Sequence, residues 1–405
     1  MSIKRLFCVS FILLMLSAFS LFAWDIGLNL TNTAVYEDFD SSGDTLDKVR
    51  YTGTAIPWFS TFIGSDGELF VSAGISAEYT NKQLYFIPEL LRTELTLRFG
   101  DGISLVMGRT QYADPLGFVF SGLFDGVRFR ADIGESTLGA GAWYTGFLYK
   151  KNANITMTET ELAVFDEDIN FSDFSRTYFA PKRFAAALDW EHPGLAEIIR
   201  LKLALIGQVD LSEGDDLHSQ YFIASLGIPV RSFVFNLGGA AGLAQNAGNN
   251  SQFFAALEAG ISIALPTSFH DSLQFNARYS SPMMNDSFVA FIPITTESQG
   301  NVLNAKLTGI STLNINYIAR LREDFSLGLQ SSYFILNDLR TYAGLPSGRE
   351  GYFLGNEFYG QAVWSPVSDL QFKLGGGAFL PMLGNADPNS RVLWRVELNL
   401  IFAVF

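Results

Sequence analysis

Apolar and polar residues alternate with a period of two along nearly the whole chain after residue 23. Residues 273–279 read LQFNARY, residues 313–317 read LNINY and residues 201–205 read LKLAL. Successive side chains of a β-strand point to opposite faces of its sheet, so each run predicts a strand with one apolar and one polar face. A comparable helical period is absent, apart from a weak one near residues 197–203. The pattern therefore predicts an all-β chain.

Two kinds of connection separate these strands in alternation. Short turns, rich in the Gly, Pro, Asp and Ser that tight turns favour, are predicted at residues 64–67, 100–102, 134–136, 191–196, 229–231, 266–271, 321–324 and 365–369. Longer polar loops are predicted at residues 37–47, 81–90, 112–122, 150–178, 211–218, 245–250, 282–302, 337–351 and 381–390. Eight turns and nine loops separate 18 strands. A count of 16 is the alternative, because residues 81–90 and 219–245 admit other divisions.

An even number of antiparallel strands, with short turns at one end and long loops at the other, is typical of transmembrane β-barrels. Lipid offers no hydrogen bonds, so spanning strands must close into a barrel in which each has two partners. A soluble β-sandwich or β-solenoid also alternates. However, a sandwich rarely has this many strands in one domain, and no fixed solenoid repeat is visible. We therefore predict a closed antiparallel transmembrane β-barrel over residues 24–405.

Residues 1–23 have the features of a secretory signal peptide. Two cations near the N-terminus precede an apolar stretch over residues 6–19, which is too short for a spanning helix. Cleavage after Ser20 follows the small-x-small rule, whereas cleavage after Ala23 leaves a clean strand start, and the sequence leaves both open. The only cysteine, Cys8, lies in this segment, so we expect no disulfide in the exported barrel.

Aromatic residues recur at the predicted short-turn ends of the strands. Membrane barrels carry girdles of aromatic side chains at the level of the membrane interface. If the first strand starts at the short-turn end, every even-numbered strand ends there, so the start of strand 1 and the ends of the even-numbered strands lie at the same level. The aromatic residues at these positions are Trp24, Phe99, Trp190, Trp364 and Phe405. They predict an interfacial belt on the short-turn side.

The signal peptide, the alternating strands and the terminal aromatic residue together resemble bacterial outer-membrane β-barrel proteins of the porin type. Residues 123–130, LFDGVRFR, resemble a strand of 18-stranded substrate-specific porins, which include alginate-export channels. Porins commonly end in Phe after alternating apolar residues. Phe405 fits, but the apolar set that ends at Val404 is one residue out of phase. The resemblance implies a bacterial outer-membrane location, contact with outer-membrane lipids and lipopolysaccharide or its equivalent, and insertion by the outer-membrane assembly machinery.

The number of strands bears on function. Barrels of about 16–18 strands leave an aqueous lumen unless a plug fills it, and we expect no N-terminal plug domain, because the first strand is predicted to start near Trp24. We expect a porin-like channel for diffusion of small hydrophilic solutes. The alternative is a surface-exposed barrel with an occluded lumen, serving adhesion or outer-membrane structure.

Alternation also assigns basic side chains to the lumen, because a charge facing lipid would cost about 2–4 kcal/mol near the midplane. These residues are Arg92, Arg98, Arg128, Arg130, Arg200 and Lys202. As a ladder they would attract anionic solutes, since guanidinium pairs well with carboxylate or phosphate. Alternatively, they only balance inward-facing acids. Arg109 fits neither interpretation, because its parity matches lipid-facing neighbours and requires a bulge or a position at the rim.

The longest predicted loop, residues 150–178, is acidic. Its candidate constriction residues are Glu159, Glu161, Asp166, Glu167 and Asp168. Folded inward, this loop would narrow the pore opposite the basic wall. It could equally cap the pore, present an adhesive surface or simply be solvated.

Charge and motifs exclude several other classes. A formal net charge of −14 excludes a general nucleic-acid binder, which needs a basic face. No Gly-rich phosphate motif, metal-spaced His/Cys set or nucleophile elbow occurs. We therefore predict no enzyme activity, no cofactor and no metal site, while solute identity and oligomeric state stay open.

Overall fold

The computed structural model describes residues 24–37, 49–80, 83–165, 167, 169–212, 217–246, 251–284, 288–338 and 351–404. Its strands are β1 Trp24–Glu37, β2 Val49–Ile63, β3 Gly67–Thr80, β4 Gln83–Arg98, β5 Ile103–Ala113, β6 Ser121–Ile133, β7 Ser136–Tyr144, β8 Arg183–Leu195, β9 Ile199–Asp210, β10 Leu217–Val230, β11 Phe233–Asn246, β12 Ser251–Ala264, β13 Ser272–Ser280, β14 Ile310–Arg322, β15 Phe325–Leu336, β16 Phe353–Val367, β17 Leu370–Leu380 and β18 Leu393–Val404. Helices α1 Glu159–Phe165 and α2 Phe174–Tyr178 are short, as are two 3₁₀ turns, Phe171–Asp173 and Pro381–Leu383. Within the described ranges, no helix has the length and apolar character needed to cross a membrane. The predicted signal peptide lies outside them.

Strand β1 closes the sheet, because it pairs with both β2 and β18. Leu30 lies opposite Ala55 on β2 and opposite Phe402 on β18. Every other strand pairs with its two neighbours in sequence. The predicted closed antiparallel barrel of 18 strands is therefore confirmed, and the alternative count of 16 is wrong.

A short turn connects two consecutive strands at or next to each predicted position, but the turn predicted at residues 191–196 is displaced to 196–198, because β8 continues to Leu195. Two of these turns start at Gly64 and Gly134, whose φ angles of 66° and 61° lie in the left-handed region that glycine adopts without strain. At the other end, the described connections include three long segments: residues 114–120, 145–182 and 281–309. We call the two rims of the barrel the short-turn end and the long-loop end.

The predicted loop over residues 81–90 is wrong, because β4 begins at Gln83 and pairs with β3 along its whole length. A β-bulge explains the error. Ser72 lies opposite Arg92, but Ala73 lies opposite Leu90, so one residue of β4 is extra. The extra residue inverts the alternation of inward and outward side chains and hides the strand in the sequence.

The outer face of the barrel is apolar. On β6, Val127 and Phe129 are exposed, while Phe124 and Arg128 point inward. Each strand from β7 to β18 has an exposed large apolar side chain; examples are Leu138, Leu188, Leu205, Phe222, Phe235, Leu257, Phe275, Leu313, Leu329, Phe358, Leu374 and Leu398. An apolar surface of this extent is a contact surface for a membrane or another protein.

Described parts of all three long segments fold into the barrel and pack together near the long-loop end. Phe120 stacks on Phe124 of the wall with ring centroids 4.2 Å apart. The carbonyl oxygen of Val119 accepts hydrogen bonds from the backbone N–H groups of Ile294 (2.8 Å) and Thr295 (3.0 Å). The interior at this level therefore contains a packed apolar core.

Pairing between β4 and β5 stops partway up the wall. The register runs from Arg98 opposite Ser104 to Thr93 opposite Arg109, six pairs and the shortest pairing between adjacent described strands. Gly108 of β5 lets the backbones of β4 and β5 approach closely just before this pairing ends. Its φ is 107°, and a Cβ there would lie 1.9 Å from the carbonyl oxygen of Thr93. Above this point, the described residues of the two strands leave a gap in the wall.

Arg109 fills the gap with its side chain. Its guanidinium forms an ion pair with Asp125, with 2.7 Å between Nη2 and Oδ2. It also donates hydrogen bonds to the carbonyl oxygens of Phe147, at 3.0 Å, and Leu90. Arg109 thus keeps its outward parity and is buried without a bulge of its own, because residues 145–182 cover the gap.

Candidate solute pathway

The long-loop end of the interior opens into a cavity of about 1310 Å³, which we call the vestibule. Its charged lining residues are Lys150, Lys151, Lys306, Arg395 and Glu297. The buried ammonium group of Lys150 donates hydrogen bonds to the carbonyl oxygens of Val164 and Glu167. Burial raises the pKa of the Glu297 carboxyl, with Arg278 opposing the rise and Asp114 adding to it. The vestibule is therefore basic overall.

Residues 298–301 lie between the vestibule and two smaller recesses, whose linings they share. Ser298 lines the vestibule and two smaller recesses, so the three spaces meet at this residue. Glu357 of β16 holds the segment in place from below. Its fully buried carboxylate accepts hydrogen bonds from the backbone N–H groups of Asn301 (2.7 Å), Val302 (2.9 Å) and Leu303 (2.8 Å). We call residues 298–301 the constriction segment.

The two recesses beside the constriction segment differ in chemistry. One, of about 400 Å³, is ionic and contains Glu37, Arg50, Arg395 and Glu397. The other, of about 270 Å³, is lined mainly by side-chain amides from β13, β14 and β15. The described interior thus contains a basic vestibule and, beside the constriction segment, an ionic recess and a neutral recess.

The six basic residues predicted for the lumen have inward parity on β4, β6 and β9. Four of them contact carboxylates: Arg92–Glu94 (2.8 Å), Arg98–Glu68 (3.4 Å), Arg128–Asp189 (3.0 Å) and Lys202–Glu191 (3.2 Å). Arg130 and Arg200 are exposed, and neither is ion-paired with a described carboxylate. None of the six lines the vestibule or the two recesses.

The acidic loop contacts basic residues other than those six. Glu161 pairs with the fully buried Arg183 at 2.6 Å, and Arg183 also contacts Asp210. Burial opposes ionisation of Glu161, but the hydrogen bonds and charge of Arg183 outweigh it and lower the pKa of the carboxyl. Glu167 pairs with Arg176 within the loop at 2.8 Å. The backbone of Glu159 starts α1, while Asp166 and Asp168 lie outside the described residues.

The predicted aromatic belt falls on the outer face. Trp24, Phe99 and Trp364 are exposed at or near the short-turn ends of their strands, and Trp190 is half-buried. The indole of Trp364 stacks on Phe372 with ring centroids 5.4 Å apart. Phe405 lies outside the described residues.

Histidines and acids form no evident catalytic or metal centre in the part of the chain that the structure describes. No group of three or more His, Cys, Asp or Glu residues there is arranged to hold a metal ion. The Nδ1 atoms of His192 and His218 accept hydrogen bonds from the backbone N–H groups of Gly194 (3.2 Å) and Asp210 (3.1 Å). These two imidazoles therefore bond to the local backbone.

Sequence reasoning missed the constriction segment and the amides beside it. Alternation placed Gln274, Asn276, Asn314 and Asn316 on inward faces, and that was the available signal. Alternation did not show which of these amides lie opposite one another, because the long segment 281–309 between β13 and β14 leaves the register of the two strands undefined in the sequence.

No protein-family model and no curated protein matches the sequence. Solved structures do match. The chain superposes on Pseudomonas aeruginosa OccK2 (OpdF) with a TM-score of 0.62 and 12% identity, covering 94% of this chain and 98% of that one. For OccK11 (OpdR) of the same organism the values are 0.58 and 10%, over 94% and 96% of the two chains. The outer-membrane protein OprD gives 0.58 and 13%, over 94% and 93%.

The chain has the OprD/Occ barrel fold. One neighbour with this fold is the outer-membrane protein OprD, so the resemblance to a porin-type outer-membrane barrel seen in the sequence is confirmed at the level of the fold. At these identities, the OprD/Occ likeness carries no information on solutes or on individual residues.

Proposed function

We propose that the protein is an outer-membrane, porin-like channel, rather than an enzyme, for diffusion of small hydrophilic solutes. The observation that carries the proposal is a set of cavities with polar and charged linings inside a barrel with an apolar outer face. The vestibule, the constriction segment and the amide recess adjoin one another through Ser298. A barrel that is apolar outside and polar inside suits a protein with lipid around it and water within.

The proposed location follows from the same features. The apolar outer face and the OprD/Occ fold support insertion in a bacterial outer membrane. The predicted signal peptide, contact with lipopolysaccharide or its equivalent, and delivery by the assembly machinery belong to this proposal.

Anionic solutes are the proposed preferred cargo. Four of the five charged residues lining the vestibule are basic, and Arg130 and Arg200 add positive charge that no described carboxylate pairs with. Clefts lined by one sign of charge concentrate ions of the opposite sign.

Single-channel recording in planar bilayers tests the channel. Purified folded barrels are expected to give stable conductance steps with anion preference. The Glu357→Ala variant removes the carboxylate that holds the constriction segment and should raise the unit conductance, whereas Gln371→Ala, on the interior of β17, should leave it unchanged. Folded barrels that never conduct would overturn the proposal.

A second candidate is a barrel with an occluded lumen that serves adhesion or structure. The inward packing of the three long segments favours it, because they form an apolar core with the wall at the long-loop end. The same recording decides between them, since an occluded barrel gives no conductance steps in either wild type or Glu357→Ala.

A further inference from the structure

Five amide side chains form a patch on the interior wall, which we call the amide wall. Its members are Gln274 and Asn276 on β13, Asn314 and Asn316 on β14, and Gln330 on β15. Strand register places them side by side. Gln274 lies opposite Asn316, which lies opposite Gln330, and Asn276 lies opposite Asn314. Directly opposed residues on antiparallel strands have Cβ atoms about 4.5–5.5 Å apart, so the amides form a close array.

The surroundings of the amide wall carry no net charge. Arg278 is the one ionisable residue that lines the same recess. Its guanidinium is ion-paired with Glu258 and donates a hydrogen bond to the side-chain oxygen of Gln299 at 3.1 Å. The recess therefore contrasts with the basic vestibule and with the ionic recess next to it.

The amide wall is partly fixed and partly unused as a hydrogen-bonding surface. The side-chain amide of Asn301 in the constriction segment donates to Gln330 Oε1 at 3.0 Å, and Gln330 donates to Ser332 at 2.9 Å. The side-chain oxygens of Asn276 and Asn314 accept no hydrogen bond from any described residue. These two oxygens are shielded from solvent, whereas the half-buried side-chain amides of Gln274 and Asn316 make no hydrogen bond with a described residue and can both donate to and accept from a ligand in the recess.

We propose that the amide wall binds neutral polyhydroxylated solutes, such as a monosaccharide or a comparable polyol, during passage; this rests on the proposed channel function. A primary amide offers two donors and an acceptor, and a hydroxyl group is likewise both donor and acceptor. Carboxylates only accept and ammonium groups only donate, so neither matches the array as well. The recess of about 270 Å³ lies near the lower limit of small-molecule pockets, about 300 Å³, and suits one small solute.

Block of the channel current by added solute tests the inference. Glucose is expected to reduce wild-type conductance saturably. Triethylene glycol dimethyl ether, a neutral solute that accepts but does not donate hydrogen bonds, should change the current only as it changes bulk conductivity. The double variant Gln274→Ala/Asn316→Ala should weaken the glucose block about tenfold, because two accessible hydrogen-bonding groups are lost.

Two controls keep the result interpretable. Gln371→Ala removes an interior amide outside the recess and should leave the block unchanged. Asn316→Asp keeps the side-chain shape but replaces donors by acceptors, so it should also weaken the block and serves if the alanine variant does not fold. Conducting channels with no saturable glucose block, or with equal block in the variants, overturn this inference alone. Folded wild-type barrels that do not conduct overturn the channel and this inference with it.

Discussion

At the scale of single residues, Glu297 controls the charge of the vestibule. It is the one acidic side chain among the described residues that line this cavity, and four basic side chains share the lining. Its raised pKa means that the carboxyl takes up a proton at a higher pH than an exposed glutamate, whose pKa is about 4.3. Protonation removes the negative charge and makes the vestibule more basic.

Ion selectivity should therefore change with pH. As pH falls from neutrality, the permeability ratio of anions to cations should rise in a step above the ordinary glutamate range. The Glu297→Gln variant should show the higher ratio already at neutral pH and no such step. Reversal potentials in asymmetric salt measure the ratio, and Glu323→Gln at the short-turn end is the control. An identical step in Glu297→Gln contradicts the assignment.

Sequence reasoning placed many single residues on the correct face but did not find their partners. Arg128 faces inward as alternation requires, yet its partner Asp189 is 61 positions away in the chain. Arg98 of β4 similarly forms an ion pair with Glu68 of the neighbouring strand β3, 30 positions away in the chain. A period of two gives the direction of a side chain, whereas an ion pair depends on strand register, which one sequence does not define.

At the scale of elements, the gap between β4 and β5 is the weakest part of the wall by backbone pairing. The ion pair between Arg109 and Asp125 lies in this gap, and the Arg109 side chain is only 4% exposed. Removal of one partner of a buried pair leaves an uncompensated charge, at a cost of about 3–5 kcal/mol. Arg109→Met should lower the free energy of unfolding by about this amount.

Urea unfolding of barrels in lipid vesicles, followed by tryptophan fluorescence, measures this loss. The double variant Arg109→Met/Asp125→Leu should be less destabilised than Arg109→Met, because it removes both charges. Arg176→Met breaks the exposed pairs with Glu167 and Asp173 in the covering segment and should lower the free energy of unfolding far less, because solvent screens exposed ion pairs. Equal losses for Arg109→Met and Arg176→Met would show that Arg109 does not support the wall.

Elements were predictable where the signal is local. Glycines such as Gly64 and Gly134 mark tight turns by their own conformational freedom, whereas the turn predicted at residues 191–196 lies a few residues later, at 196–198. The start of β4 was missed because the bulge opposite Ser72 inverts the alternation. The gap beside Arg109 was also missed, although the unusual parity of this residue signalled an irregularity there.

At the scale of the whole molecule, the interior has two chemically different sides. The six basic residues predicted for the lumen lie on β4, β6 and β9, together with the carboxylates they contact on β3, β4 and β8. The amide wall lies on β13 to β15, across the barrel in strand order.

The fold was predictable because alternation extends over nearly the whole chain. The inward packing of the long segments was not, since it depends on contacts such as Val119 with Ile294, far apart in sequence.

This arrangement predicts which charges set the long-range field of the lumen. Arg130 and Arg200 have no described ion-pair partner, whereas Arg92 and Glu94 neutralise each other. A unit charge about 8 Å from a permeating ion in water contributes about 0.5 kcal/mol, or about twofold in permeability. Each removed charge lowers anion permeability about twofold and raises cation permeability about twofold, so Arg130→Gln/Arg200→Gln should lower the anion-to-cation permeability ratio about 16-fold.

The matched control is Arg92→Gln/Glu94→Gln, which also changes two interior side chains but leaves the net charge as it was. It should leave the permeability ratio unchanged. Because salt screens charges over about 10 Å at 0.1 M and about 3 Å at 1 M, the effect of Arg130→Gln/Arg200→Gln should shrink as salt concentration rises. If both double variants alter selectivity equally, or if the effect persists at high salt, these two arginines do not act through the field of the lumen.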